Sequence, residues 1–139
     1  MPLIETTLTI QKPLFDVFKE AGTFENWQKW QPKVSRVTVV SGSPVRAGTM
    51  VSMAHGGAFI NADVLVYQRN KEIQLKGMWG RFYFTRNIVF QTLGGSTTIT
   101  DTLNIKTGML FFWYAPFLQM SLNKDMKNAW GTLKKQLEG

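Results

Sequence analysis

The sequence contains no cysteine in its 139 residues. This absence excludes disulfides, thiolate nucleophiles and cysteine-ligated zinc or iron–sulfur sites. Histidine is nearly absent as well: His55 stands alone, so a metal site built on several imidazoles is excluded. The sequence has no HExxH motif, Ser/His/Asp spacing or phosphate-binding glycine loop. We therefore expect no metal, no cofactor and no hydrolytic catalysis.

The chain also lacks long hydrophobic runs and dense blocks of charge. Its opening residues, MPLIETTLTI, are not typical of a secretory leader, and the apolar run near 109–118 is too short to cross a bilayer. These features predict a cytoplasmic protein. The formal net charge of +7 favours acidic partners, such as an anionic membrane surface. Nucleic acid is not an expected partner, because the basic residues are scattered and no nucleic-acid-binding motif accompanies them.

Strand-forming residues dominate the first three-quarters of the chain. Apolar and polar residues alternate from Ile4 to Ile10, which indicates a half-buried first strand. Two short helices follow: Pro13 suits the first turn of one, and Thr23 is a candidate N-cap for the other. Between 34 and 105, runs of β-branched and aromatic residues broken by turn residues predict six further strands with antiparallel neighbours.

The end of the chain is predicted to be one long helix that begins near Pro116. Its apolar residues form a single stripe: Leu118, Leu122, Met126, Ala129, Trp130, Leu133 and Leu137. An antiparallel sheet with one apolar face needs such an element to cover it. The sequence thus predicts one α+β domain over residues 1–139. It consists of a seven-stranded curved antiparallel sheet, two short helices after strand 1, and a C-terminal helix that lies across the sheet and encloses a cavity.

Four segments carry a resemblance to a known group of proteins: KPLFDVFKEAGTFENWQKWQPKV, SPVRAGTMV, RNIVFQTLGGSTTITDTLNI and AWGTLKKQLEG. On these segments the whole chain resembles the START-like helix-grip superfamily (SRPBCC), which includes polyketide cyclase/dehydrase and lipid-transport proteins. The resemblance implies a central cavity for a small hydrophobic molecule, such as a lipid, quinone, sterol or polyketide. Only some members are enzymes, so the fold alone does not decide between binding and catalysis.

The sharpest polar signal lies in the hairpin around Gly94 and Gly95. A two-residue turn there pairs Ile88 with Asp101 and makes Arg86 and Asp101 diagonal neighbours on the predicted inner face. A charge on an apolar face is costly unless it is paired. One interpretation is that Arg86 binds a ligand carboxylate, phosphate or enolate oxygen while Asp101 holds its guanidinium. The alternatives are a structural ion pair, or a register shifted by one residue that places both side chains in solvent.

Three other residues are candidates for acid–base chemistry. Asp63 and Tyr67 share one face of a strand, which either points into the cavity or lies outside if Ala62 and Val64 are buried. We favour the outer face, because small and branched residues suit the core. His55 stands directly before two glycines, which favours a solvent-facing loop residue over a catalytic one.

The predicted cavity wall combines large apolar side chains with a few polar ones. Trp27 and Trp30 either line the mouth or belong to the core, and Gln119 and Asn123 lie at the margin of the helical stripe. The predicted wall comprises Trp27, Trp30, Met50, Trp79, Phe82, Phe84, Arg86, Ile88, Asp101, Leu103, Gln119, Leu122, Asn123 and Met126.

The apolar segment 109–120 has three interpretations. Phe117 and Met120 fall off the helical stripe and are expected to be exposed. The segment is a gate over the pocket, a membrane contact beside the basic surface, or a dimer contact. A monomer or a weak homodimer is expected.

Three functions are compatible with these patterns. The first, which we favour, is a binding or carrier protein with an apolar pocket of several hundred cubic ångströms. The second is a cyclase- or dehydratase-like enzyme in which Arg86 stabilises an enolate and a second side chain moves a proton, the candidates being Asp63, Asp101, Tyr67 and His55. The third is a protein-interaction module whose core is filled.

Overall fold

The computed structural model describes residues 3–40, 44–106 and 115–139. Its elements in chain order are β1 (Leu3–Ile10), α1 (Leu14–Ala21), a 3₁₀ turn (Phe24–Asn26), α2 (Trp27–Trp30), β2 (Val34–Val39), β3 (Met50–His55), β4 (Ala58–Gln68), β5 (Glu72–Trp79), β6 (Phe82–Leu93), β7 (Ser96–Lys106) and α3 (Ala115–Glu138). None of the helices in this part of the chain has both the length and the apolar character needed to cross a membrane.

The strands form one antiparallel sheet in the order β1-β7-β6-β5-β4-β3-β2. From β2 to β7, neighbours in the sheet are also consecutive in the chain, and β1 pairs with β7. The predicted α+β class is confirmed: seven antiparallel strands, short helices after the first strand, and a long C-terminal helix.

The hairpin between β6 and β7 has the register that the sequence predicts. Gly94 has a φ of 62°, which is in the left-handed region that glycine tolerates. Ile88 therefore faces Asp101, and Phe90 faces Ile99. A register shifted by one residue is excluded, so Asp101 lies on the inner face of the sheet among buried residues of β7.

The core lies between the inner face of the sheet and α3. One side of α3 is buried, through Leu118, Leu122, Met126, Ala129, Trp130 and Leu133. The short helix α2 contributes Trp27 and Trp30, and the ring centres of Trp30 and Trp130 are 4.5 Å apart. The predicted helical stripe is thus the surface through which α3 covers the sheet.

β4 contains a bulge that its sequence pattern does not reveal. Val64 and Val66 pair with consecutive residues of β5, so Leu65 is an extra residue in the ladder. Beyond the bulge, the side chains point to the face opposite to the one that simple alternation predicts. Tyr67 is consequently half-buried, and its hydroxyl donates to the carbonyl oxygen of Gly22 at 2.6 Å.

Thr23 begins the 3₁₀ turn, but its side chain does not cap that turn. Its hydroxyl donates instead to the carbonyl oxygen of Lys19 at 2.7 Å. The predicted side-chain cap is therefore wrong, because the hydroxyl bonds back to the last turn of α1.

Candidate functional site

A cavity of about 160 Å³ lies between the inner face of the sheet and α3, beside α2. Its wall is mostly apolar, and the apolar residues come from α2, α3 and the six strands β2 to β7. These residues are Trp27, Val34, Met53, Ile60, Ala62, Leu75, Trp79, Phe84, Leu103, Ile105, Leu122, Met126 and Ala129. The cavity is smaller than the sequence-based expectation. An apolar cavity on the order of 150 Å³ holds a benzene ring, so this one fits a ring-sized group.

Arg86 is the charged group of the inner wall. Its Nε and Nη2 atoms donate to the carboxylate of Asp101, with Nη2 2.6 Å from Oδ2. The indole Nε1 of Trp130 donates to the same carboxylate oxygen at 2.7 Å. The guanidinium carbon lies 5.0 Å from the centre of the Trp27 ring, a cation–π contact. The ion pair predicted from the hairpin register is confirmed, and four elements hold it in place.

The pair presents one charge to the cavity and hides the other. The side chain of Asp101 is 0% exposed and that of Arg86 is 11% exposed. Of the two residues, Arg86 alone lines the cavity. Its remaining nitrogen, Nη1, bonds no residue within the described segments. The arrangement holds one edge of a guanidinium in a fixed orientation at an apolar surface.

His55 is the last residue of β3 and also lines the cavity. Its ring meets Trp79 edge to face, with 5.5 Å between the centroids. Burial lowers the pKa of His55 below its ordinary value of 6.5. The negative charge of Asp125 raises that pKa, whereas the positive charges of Arg86 and Lys33 lower it. Because burial is the largest influence, the imidazole is neutral at neutral pH.

The mouth of the cavity is formed by its exposed wall residues, Pro32, Lys33 and Asn128. Lys33 Nζ lies 3.0 Å from Asp125 Oδ2, which joins the segment before β2 to α3. The lysine side chain is about half exposed, so solvent screens this pair and its contribution to stability is small. Its local effect is to place one charge of each sign beside the opening.

Residues 1–138 match the sequence pattern of a family described as polyketide cyclase / dehydrase and lipid transport. The chain belongs to this family. A START superfamily protein from Mycobacterium smegmatis has 12% sequence identity and a TM-score of 0.81, over 98% of this chain and 97% of that one. A protein from Thermobifida fusca has 14% identity and a TM-score of 0.80, over 98% and 93% of the two chains.

A third structure, from Thermus thermophilus, has 15% identity and a TM-score of 0.80, over 96% of this chain and 95% of that one. The predicted membership of the polyketide cyclase/dehydrase and lipid-transport family is confirmed, and the chain shares the predicted START-like fold with these structures. At these identities the structures show the fold alone. No protein of curated function matches the sequence.

Half of the residues predicted to form the wall do line the cavity of this family member: Trp27, Trp79, Phe84, Arg86, Leu103, Leu122 and Met126. Three other predicted wall residues lie in the protein interior away from it. Trp30 packs against Trp130, Ile88 is fully buried, and Asp101 lies behind Arg86. The prediction that these three side chains line the cavity is wrong, because an inward-facing side chain reaches the cavity only where its neighbours leave space.

The remaining predicted wall residues also lie outside the cavity wall. Met50 is exposed, because the inward residues of β3 are Val51 and Met53. Gln119 is exposed, and its Nε2 donates to the carbonyl oxygen of Leu3 at 3.0 Å. Phe82 and Asn123 are half-buried beside wall residues without being part of the wall.

The acid–base candidates are dispersed, with one exception. Asp63 is exposed on the outer face of the sheet, which is the position that the sequence favours. The outer-face prediction is wrong for Tyr67, because the bulge in β4 turns its side chain inward toward α1. Burial raises the pKa of Tyr67, but the side chain does not line the cavity. The solvent-facing prediction is wrong for His55, because β3 extends to it and pairs it with Val34. In the described segments, no three His, Asp or Glu side chains are grouped so as to hold a metal ion.

Four polar residues at the cavity were not predicted from the sequence: Gln31, Lys33, Asp125 and Asn128. A signal existed for Asp125, which follows Leu122 by three residues and so lies beside it on the helix surface. No comparable signal exists for Gln31 or Lys33, since they follow α2 in a segment without periodicity.

The predicted gate segment falls only partly within the described residues, since 107–114 lie outside them. The part that is described agrees with expectation: Phe117 is 65% exposed and Met120 is 73% exposed. Whether the segment acts as a gate stays a prediction.

Proposed function

We propose that this protein binds and carries a small, largely apolar molecule in the cavity between the sheet and α3. The observation that carries the proposal is the wall itself: an apolar enclosure into which one oriented guanidinium, that of Arg86, projects an edge. Dry pockets with few polar groups are typical of sites for hydrophobic ligands. The description of the family, which includes lipid transport, supports the same class of ligand.

The size of the cavity limits what is bound. A ring or a short branched chain fits inside, whereas a longer molecule has to extend through the mouth near Lys33. Two wall residues, Gln31 and Trp79, each have a buried N–H group without an acceptor among the described residues. Because an unpaired buried donor is costly, a ligand that carries an oxygen is favoured over a pure hydrocarbon.

An enzyme of the cyclase or dehydratase kind is the second candidate. It is favoured by one observation, which is that Arg86 and His55 line the same cavity. A neutral imidazole accepts a proton, and a fixed guanidinium stabilises an enolate oxygen, so the pair suits proton abstraction next to a carbonyl. The carrier is preferred because Asp63 and Tyr67 lie away from the cavity and Asp101 is committed to Arg86.

Native mass spectrometry of freshly purified protein, followed by thermal melts of delipidated protein, tests the proposal. The melts use fatty acids, isoprenoid quinones, sterols, aromatic polyketide mimics and single-ring compounds. A ligand present at a hundred times its Kd stabilises the folded state by about 2.7 kcal/mol, which a melt detects. Recovery of the ligand unchanged supports the carrier, and recovery of a converted product supports the enzyme. If nothing in the panel binds or stabilises, the proposal is wrong.

Filling the cavity should remove binding without unfolding the protein. We expect Ala129→Leu to weaken binding of the best ligand by about tenfold or more, which corresponds to at least about 1.4 kcal/mol. The reason is that Ala129 is a buried wall residue of α3, so a larger side chain occupies the ligand's space. Ser121→Leu is the matched control, since Ser121 is exposed on the same helix and lies outside the wall. Equal binding by both variants would place the ligand elsewhere.

We further propose that the outer face of α3 contacts anionic lipid. Phe117, Met120, Lys124 and Lys127 are all exposed, and their spacing places them on one side of the helix. Exposed apolar residues next to lysines are complementary to a negatively charged bilayer surface, where each lysine contributes about 1 kcal/mol. The net charge of +7 also favours binding to a negatively charged surface.

Co-sedimentation with vesicles measures this contact. The wild type should bind vesicles that contain phosphatidylserine, and Lys124→Glu/Lys127→Glu should lower that binding by about tenfold or more. The control is Lys19→Glu, an exposed charge change on α1. Equal binding to purely zwitterionic vesicles, or dimerisation through this face in solution, would contradict the proposal.

A further inference from the structure

The single histidine of the chain shares the cavity with charged groups from three other segments. Arg86 of β6 and Asp125 of α3 line the same cavity, and Lys33, which precedes β2, stands at its mouth. Trp79 of β5 packs against the imidazole and is uncharged. Within the described residues, these three charged groups act on His55 together with the contact to Trp79 and a backbone hydrogen bond at His55 itself.

The charges around the cavity are arranged asymmetrically. Asp101 neutralises Arg86 from behind, where the carboxylate also accepts the N–H of Trp130. Lys33 and Asp125 form a pair at the mouth. A molecule inside the cavity therefore meets the positive edge of Arg86, the neutral imidazole of His55 and the side-chain amide of Gln31 among apolar side chains, with the Lys33–Asp125 pair and Asn128 at the mouth.

An anionic oxygen has one favourable place in such a cavity. It is attracted by Arg86, whose orientation is already fixed, so binding costs little ordering of that side chain. A proton on His55 then lowers the cost of burying the negative charge. A neutral ligand gains nothing from protonation of His55.

We propose that the cavity is a site for small ring-bearing acids, whose anionic oxygen binds Arg86 and whose entry adds a proton to His55. The apolar space fits a ring-sized group, and the acid is a carboxylate, which is already ionised in solution near neutral pH. The proposal rests on the proposed binding function and deepens it by naming the ligand's charge and the proton that binds with it.

The sign of the pH dependence follows from the two states of the imidazole. In the free protein, burial holds the pKa of His55 below 6.5, so the folded state loses stability relative to the unfolded chain as the pH falls below that value. A bound anion raises the pKa of His55. Affinity for the acid therefore increases as the pH falls through the raised pKa of the complex, and levels off below the pKa of the free protein.

Nuclear magnetic resonance of the imidazole tests the proposal directly, since the chain has a single histidine and the signal needs no assignment. Benzoate and benzamide serve as matched probes of nearly equal shape. We expect benzoate to raise the pKa of His55 by about one unit or more. Benzamide should bind about tenfold more weakly or worse and leave that pKa unchanged. His55→Phe should bind benzoate with no pH dependence across this range beyond that of the probe.

A second experiment removes the guanidinium that is proposed to bind the anion. Arg86→Met/Asp101→Leu removes both members of the buried pair, so no uncompensated charge is left in the fold. This double variant should bind benzoate and benzamide with equal affinity.

The outcomes separate this inference from the proposed function. Equal binding of benzoate and benzamide by the wild type overturns the inference and leaves an apolar binding site standing. Binding of benzoate without a change at His55 overturns the proton coupling. If neither probe binds while a co-purified apolar ligand does, the ring-acid specificity is wrong and the carrier function stands.

Discussion

Replacement of Asp101 by alanine should lower the free energy of unfolding by about 3–5 kcal/mol. Arg86 would keep its charge while only 11% exposed, with no carboxylate to compensate it. The N–H of Trp130 would lose its acceptor at the same time. Both effects act where β6, β7 and α3 meet, so the loss should appear as a lower midpoint in urea denaturation followed by tryptophan fluorescence.

The control for this prediction is Arg86→Met/Asp101→Leu. Buried ion pairs often contribute little compared with apolar side chains of similar size, so the double variant should recover most of the lost stability. That result would indicate that the pair is kept for what Arg86 does in the cavity. If the double variant is as unstable as Asp101→Ala, the ion pair has a structural role and Arg86 is not kept as an anion anchor.

Trp130→Ala should be comparably destabilising, by about 3–5 kcal/mol. The indole is fully buried, and its ring lies 4.5 Å from that of Trp30. Its removal opens a space between α3, α2 and the sheet and takes a hydrogen bond from Asp101. Chemical denaturation monitored by circular dichroism measures the change without relying on the deleted fluorophore.

Trp130→Phe separates packing from hydrogen bonding. Phenylalanine keeps an aromatic ring in the site but has no N–H, so we expect a smaller loss of about 1–3 kcal/mol. A loss as large as that of the alanine variant would mean that the bond to Asp101 outweighs the packing. A loss below about 1 kcal/mol for Trp130→Ala would contradict the placement of this side chain in the core.

Local sequence patterns determined the elements and one part of the site. The glycine pair of the β6–β7 hairpin fixes which residues face each other, and from that register the contact between Arg86 and Asp101 follows. The apolar stripe of α3 likewise identifies the side that covers the sheet. These predictions succeed because register and helical periodicity depend on residues close together in the chain.

Tertiary structure decided the rest of the site. The Leu65 bulge turns Tyr67 inward, and the pairing of β2 with β3 brings His55 into the cavity wall. Packing of α2 against α3 places Trp30 in the core while leaving Trp27 at the wall. Each outcome depends on where distant elements meet and on the space left between them, and a pattern read along the chain contains neither quantity.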